Sequence, residues 1–209
     1  MLVIGAQGFA KQILDVFDQK GITEGIVFFD DVAENSPDKL YDFEIIHTTG
    51  EVLDYFKNVS DKYILGVGNP LIRKKLSEKF NALGGDLTTL VSPLARIARY
   101  NCHIGKGTCI LTNSIIENNV HIGAGCLINL RCTITHDTRI GEFCEICPGA
   151  NISGNSRIGN YTFIGTGAIL LPNIKIGNNV IIGAGAVVTR DIDDNDKVAG
   201  NPAKSIKQK

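Results

Sequence analysis

The apolar positions of this chain follow two different rhythms. In the second half, every sixth residue from Ile104 through Ile128 and Ile152 to Val188 is a branched aliphatic, fifteen positions without an exception. Two residues ahead of each stands a mostly small side chain, among them Cys102, Thr108, Ser114, Cys126, Cys132, Cys144, Ala150 and Ala186. A helix places apolar residues three or four apart and a half-solvated strand alternates, so neither period fits. A hexad fits a parallel β-helix, in which one short strand and one turn make each side of a coil. The aliphatic fills the interior, and the small residue lets the chain bend around it. Glycine follows the aliphatic at Gly105, Gly123, Gly141, Gly159 and Gly177, spaced by eighteen residues. One corner of a three-sided coil therefore returns about five times, and glycine there predicts a positive φ.

Residues 1–85 carry no hexad. Short apolar runs at Met1–Ile4, Gly25–Phe29 and Tyr63–Val67 predict strands, with a shorter one at Glu44–Ile46. Ile13, Leu14, Val16 and Phe17 lie at helical spacing, as do Leu71, Ile72, Leu76 and Phe80, and a further helix is expected over Gly50–Phe56. The stretch from Asn35 to Asp42 reads as turn. Strands alternating with helices imply a small parallel sheet with crossovers, Rossmann-like in outline. The expected organisation is thus an α/β domain, 1–85, followed by a β-helix domain with a polar tail, 86–209. From Asp191 the tail is expected to abandon the repeat and to cover the open end of the coil.

Composition narrows the function classes. A formal net charge of −1 gives no sign of nucleic-acid binding. No apolar run approaches the ~20 residues that span a bilayer, and no signal-peptide pattern opens the chain. Of six cysteines, four stand in the small column and read as fillers of a reduced, cytoplasmic protein. Cys144 and Cys147 form a CxxC, but no second pair or histidine stands at zinc-finger spacing, so no metal is expected.

Candidate chemistry lies in two places. The first is the set of strand ends in the α/β half. Gly5 to Ala10 is a strand–glycine turn–helix that points backbone N–H groups at one spot, which suits phosphate or is simply a tight turn. Asp30-Asp31 and Gly66-Val67-Gly68-Asn69 close the next strands on the same edge, where a parallel sheet forms its ligand crevice. A solvated acidic turn is the plain alternative for the aspartates. The second place is the coil. His103 and His121 fall eighteen residues apart and read as surface residues on one wall. His136 projects outward near a corner with Asp137 beside it, a base with an acidic neighbour. One coil later Gly154 leaves the imidazole open beside a backbone amide, and Asn129 sits at a corner one hexad earlier. A base, an amide donor and an open floor are what acyl transfer requires.

With these residues in hand, the chain resembles the left-handed β-helix acyltransferases that use acetyl-CoA. It is most similar to bacterial N-acetyltransferases of nucleotide-linked 4-amino-4,6-dideoxy sugars in surface-glycan and O-antigen synthesis. The likeness rests on Gly5-Ala6-Gln7-Gly8, Phe29-Asp30-Asp31, Gly68-Asn69, Asn129, His136-Asp137, Pro148-Gly149-Ala150, Ser153-Gly154, Leu171-Pro172-Asn173, Gly183-Ala184-Gly185-Ala186 and Gly200-Asn201-Pro202. The resemblance implies that Gln7, Gly8, Phe9, Asp30, Asp31 and Gly68 bind the nucleotide-sugar. It implies His136 as general base, with Asp137 and Asn129 assisting, and a CoA site at Glu145, Gly154, Thr166 and Ala184. Some relatives have Glu where this chain has Asp137, and His where it has Glu145. The resemblance further implies a homotrimer with acetyl-CoA as co-substrate and neither metal, membrane nor nucleic acid as partner. O-acetylation of a sialic acid, a non-catalytic nucleotide-sugar-binding trimer and a zinc carbonic anhydrase on the same coil are the rival readings.

Overall fold

The computed structural model describes residues 1–32 and 37–206. The N-terminal half is an α/β unit with strands β1 (Leu2–Ile4), β2 (Val27–Phe29), β3 (Lys39–Leu40), β4 (Phe43–Ile46), β5 (Lys62–Leu65) and β6 (Asp86–Leu87). Its helices are α1 (Gly8–Gln19), α2 (Thr49–Asn58) and α3 (Pro70–Ala82). The sheet order is β3-β4-β2-β1-β5-β6, and all pairs are parallel except the β3–β4 edge. That hairpin occupies part of the stretch expected as turn; Asn35 lies outside the described residues. Alternation along β1 sorts the packing. Val3, Phe28 and Ile64 bury against Ala10, Ile13 and Phe17 of α1, while Leu2, Ile4, Phe29 and Leu65 bury against Val52, Tyr55 and Phe80 of α2 and α3. α2 starts on a capping box between Thr48 and Glu51, and α3 on Asn69 followed by Pro70.

The second half is the three-walled parallel β-helix. Strands Cys109–Ile110, Leu127–Ile128, Glu145–Ile146, Phe163–Ile164 and Ile181–Ile182 stack on the first wall, with Ile110, Ile128, Ile146, Ile164 and Ile182 all fully buried. The second wall stacks Ile115–Ile116 through Val187–Val188, and the third His103–Ile104 through Lys175–Ile176. Each buried aliphatic is worth roughly 1.5–3 kcal/mol, which makes the continuous stack the main support of this half. The small column does more than fill. Thr108, Cys126, Cys144 and Thr162 each donate to the carbonyl of Gly123, Gly141, Gly159 and Gly177 respectively, at 2.9 to 3.0 Å.

The coil runs past the fifteen-position series at both ends. Leu90–Val91 and Arg96–Ile97 already pair with Cys109–Ile110 and Ile115–Ile116, so one residue is inserted before Ile104 and the inner position belongs to Ile97 rather than Ala98. At the other end the tail keeps the repeat for longer than expected. Ile192 bridges Ile176, Val198 pairs with Ile182, and the antiparallel strand Lys204–Ser205 then closes the wall. The corner glycines also behave differently from the expectation. Gly105, Gly123, Gly141, Gly159 and Gly177 do not have positive φ; a Cβ at any of them would come within 2.3 to 2.6 Å of the next coil. The left-handed residues lie elsewhere in the turns, as at Asn113, Asn155 and Gly149.

The α/β unit sits on the first wall. Leu90, Cys109, Leu111 and Leu127 join the α1 cluster, and Leu87 and Phe143 join that of α3. Gln19 bonds Thr112 at 2.8 Å and Ser92 at 2.6 Å, and the buried Arg73 donates to the Gly125 carbonyl. Among the described residues no helix is long and apolar enough to cross a membrane.

Candidate functional site

Three strand ends meet because β1 lies between β2 and β5, with Ile4 in register with both Phe29 and Leu65. The chain leaves the sheet there at Gly5, Asp30 and Gly66. Gly5 has φ +105°, and a Cβ on Gly66 would meet Val3 and the Ile4 carbonyl near 3 Å, so backbones close up beneath the crevice. Above them opens a cavity of about 460 Å³ lined by Gln7, Phe29, Asp30, Asp31, Gly68, Asn69, Ile72 and Leu76 among others. α1 begins at its rim with no side-chain cap and no acidic residue in its first turn. Its N-terminal amides therefore remain available to an anion.

Of the six residues that the resemblance assigns to nucleotide-sugar binding, Gln7, Asp30, Asp31 and Gly68 line this cavity. Gly8 opens α1, where a Cβ would meet nothing within 4 Å. Phe9 does not reach the lining; it packs against the α1 cluster. The aspartates have partners of their own. Asp30 is buried, accepts from the Val32 amide at 3.1 Å, and lies 3.4 Å from the Gln7 amide nitrogen. Asp31 pairs with Lys79 at 3.0 Å.

The coil carries the second constellation. His136 stands exposed at the edge between the second and third walls. Its Nδ1 lies 2.8 Å from the Asp137 carboxylate, whose proton affinity falls below the usual carboxylate range through that hydrogen bond first and Asn119 next. An Nδ1–H donated to the carboxylate leaves the lone pair on Nε2, which has no partner among the described residues and faces solvent. Glu117, one coil earlier, accepts the His136 amide at 3.0 Å. Beneath the ring lies Gly154: a Cβ there would be 2.6 Å from Cε1 and 2.8 Å from Nε2. The sequence pointed to neither Glu117 nor Asn119, because a coil's neighbours lie eighteen or nineteen residues away and carry no local motif.

Asn129 is buried at the end of the first wall, and no hydrogen bond joins it to His136. Thr166 and Ala184 share the edge between the first and second walls, with Thr166 in a groove that includes Leu130, Arg131 and Pro148. They are one wall away from His136 and Gly154. Glu145 lies on the first wall against Gly68, where burial raises its carboxyl and nearby Arg73 opposes the rise. The CxxC divides across the wall: Cys144 turns inward to the Gly159 carbonyl, and Cys147 turns outward, burial pushing its thiol up to about 12. His103 and His121 stack on the third wall with ring centres 4.5 Å apart. Among the described residues no group of three or more metal-ligating side chains forms.

Comparison with known proteins places these features in context. Residues 1–80 match the model of the PglD N-terminal domain, and 155–190 match that of the bacterial transferase hexapeptide. The acetyltransferase domain of PglB from Neisseria gonorrhoeae FA1090 is 35% identical, with 98% of each chain covered and a TM-score of 0.89. That domain has also been solved in complex with acetyl coenzyme A. PerB from Caulobacter crescentus, solved in complex with CoA and GDP-perosamine, is 26% identical over 99% of this chain and 96% of its own, at a TM-score of 0.89. WeeI from Acinetobacter baumannii AYE is 27% identical with 98% of each chain covered and a TM-score of 0.88. No curated protein matches significantly.

Proposed function

Because the chain belongs to the hexapeptide-repeat acetyltransferases that carry a PglD-type N-terminal domain, we propose that it N-acetylates a nucleotide-linked 4-amino-4,6-dideoxy sugar with acetyl-CoA. The observation that carries this reading is His136. Its ring is oriented through Nδ1, bare at Nε2 and seated on a glycine floor. The acceptor amine attacks the thioester carbonyl carbon while Nε2 takes its proton. The carbon–sulfur bond then breaks, and the imidazolium returns the proton to the departing thiolate. A positioned base contributes about 10²–10⁴-fold, and an amide donor to the oxyanion, here Gly154 N–H, about 10²–10³-fold.

The nucleotide-sugar belongs in the crevice of residues 1–85, diphosphate toward Gly8 and the first turn of α1. Acetyl-CoA belongs on the coil at Gly154, Thr166 and Ala184. The separation of those residues onto two edges supports a homotrimer, in which one chain's His136 edge faces its neighbour's Thr166 edge. The wall between them exposes Ile115 and Ile169, with Leu171 at its margin, each 37 to 40% accessible, as an interface would.

A thiol-release assay tests the proposal, using acetyl-CoA with UDP-, dTDP- and GDP-linked 4-amino and 4-hydroxy sugars. Turnover is expected with an amino sugar, and His136→Asn should lower kcat by at least ~10²-fold. Turnover only with hydroxy sugars would select the O-acetylation reading. Absence of CoA release with every acceptor would leave a binding protein.

A further inference from the structure

The three walls of the coil turn different chemistry outward. The first is apolar where the α/β unit covers it, at Cys109 and Leu127, and the second exposes Ile115 and Ile169. The third carries a column of imidazoles and cations: His103, His121, Arg139, Arg157 and Lys175 stand in register on five successive coils. Neighbouring strands of a sheet lie about 4.8 Å apart, so the column runs straight for about 19 Å. Arg139, Arg157 and Lys175 are exposed, and among the described residues none of them enters an ion pair. The proton affinity of His121 is lowered by loss of solvent first, and by Arg139 and His103 next. Like charges directly opposite one another repel. A chain of net charge −1 has carboxylates to interleave, yet one joins this column only at its end, where Asp191 accepts the Lys175 amide at 2.8 Å.

A neutral column flanks the basic one. Two residues before the strands of the third wall, Asn101 and Asn119 join side chain to side chain at 3.1 Å, and Asn155 and Asn173 do so at 2.7 Å. These amides are exposed and offer both donors and acceptors to solvent. The pitch of the column sorts its possible partners. An extended polypeptide repeats its side chains on one face at about 6.7 Å and falls out of step. Duplex DNA carries a phosphate about every 3.4 Å along each strand and curves away from a flat wall. Single strands are held on open aromatic faces, whereas His103 and His121 stack on each other. A membrane-surface contact inserts apolar side chains, and this column has none. A chain of 1,4-linked pyranoses, in contrast, advances by close to one coil per sugar when extended.

We propose that the third wall is a docking track for a linear acidic polysaccharide with a carboxylate on each sugar, laid parallel to the coil axis. Arg139, Arg157 and Lys175 pair with successive carboxylates, the arginines through two N–H groups each, and the asparagine column meets the ring hydroxyls. Each pair is exposed and individually weak, so affinity grows with the number of coils engaged and falls with salt. The track lies on a different wall from the α/β crevice, and a trimer that buries the second wall leaves it open. It does not depend on acetyl transfer.

Titration calorimetry on the full chain at low salt tests the track with oligogalacturonates of two to six sugars, against a neutral malto-oligosaccharide of six. Affinity should rise with length, level off once the column is filled, and fall as salt is added. Arg139→Gln combined with Arg157→Gln should weaken the six-sugar acid by about 5- to 10-fold, the measure of two exposed ion pairs. The same two positions changed to lysine keep the charge and should retain most of the affinity. Lys57→Gln, an exposed cation on α2, should leave it unchanged. No binding of any oligogalacturonate, equal binding of the neutral sugar, or an equal loss with Lys57→Gln overturns the proposal. Tighter binding of duplex DNA or of phosphatidylglycerol vesicles at matched charge overturns it as well. Thiol release enters none of these measurements, so failure of the acetyl-transfer reading would be seen separately.

Discussion

At the scale of single residues, Gly154 and Asp137 permit the sharpest tests. A methyl on Gly154 would overlap the His136 ring by its distances of 2.6 and 2.8 Å, and the ring, being exposed, would swing aside. Gly154→Ala should therefore leave the melting temperature nearly unchanged and lower kcat by about 10-fold or more, because misplacing a catalytic group by an ångström costs about 10²-fold. Unchanged turnover with saturating substrates would make the glycine a packing residue only. Asp137 sits at φ +62°, yet Asn119, Asn155 and Asn173 hold the same left-handed position in neighbouring coils. Asp137→Asn thus preserves the backbone and removes the charge alone. The carboxylate stays ionised below the usual range, so in the native enzyme its orienting bond survives acidification that would silence an ordinary aspartate. The variant should lose about 10-fold in kcat, less than removal of the base itself. A loss equal to that of His136→Asn would give Asp137 a direct part in proton transfer.

At the scale of elements, the hexad was legible because one side-chain column must be interior and aliphatic in every turn. What escaped the sequence was backbone economy. Glycine at Gly123 suggested a positive φ, but the structure requires it because a Cβ would lie 2.6 Å from the Gly141 carbonyl group. The register shift before Ile104 escaped as well, since Ala98, six residues before Ile104, fits the hexad frame, whereas the true inner residue, Ile97, falls outside it. In the α/β half, strand ends and their glycines marked the crevice. The Asp30 bond to the Val32 amide is a local turn contact, whereas the Lys79 partner of Asp31 was hidden because tertiary packing brings it in from α3. The two kinds of glycine yield opposite expectations. Gly123→Ala should destabilise by about 1–3 kcal/mol, the usual cost of overpacking. Gly149→Asn should change stability by less than about 1 kcal/mol, since asparagine adopts the left-handed region readily and Asn113 and Arg131 already do so in the same column. Denaturant unfolding of the two variants decides it; equal losses would mean that φ, not contact between coils, governs both positions.

At the scale of the whole molecule, the α/β unit packs on the coil through the Leu90, Cys109, Leu111 and Leu127 cluster and through Arg73, which sets its crevice beside the first wall. His136 and Gly154 occupy one edge of the prism, while Thr166 and Ala184 occupy the next. A single chain therefore holds the base and the proposed CoA-lining residues a full wall apart. If the groove joins one chain's first edge to its neighbour's second, two inactive variants should repair each other. His136→Asn lacks the base but keeps Ala184, whereas Ala184→Glu keeps the base and obstructs the groove at an exposed position that tolerates substitution. Each should be nearly inactive alone. Co-expressed in equal amounts and mixed at random in a cyclic trimer, about a quarter of the sites would combine an intact His136 edge with an intact Ala184 edge. Thiol release at about that fraction of the native rate is the expected result, measured on purified mixed trimers whose size is established by sedimentation. Chains that remain inactive in verified mixed trimers would mean that each subunit builds its own site, and the assignment of Thr166 and Ala184 to the CoA groove would fall with the composite groove.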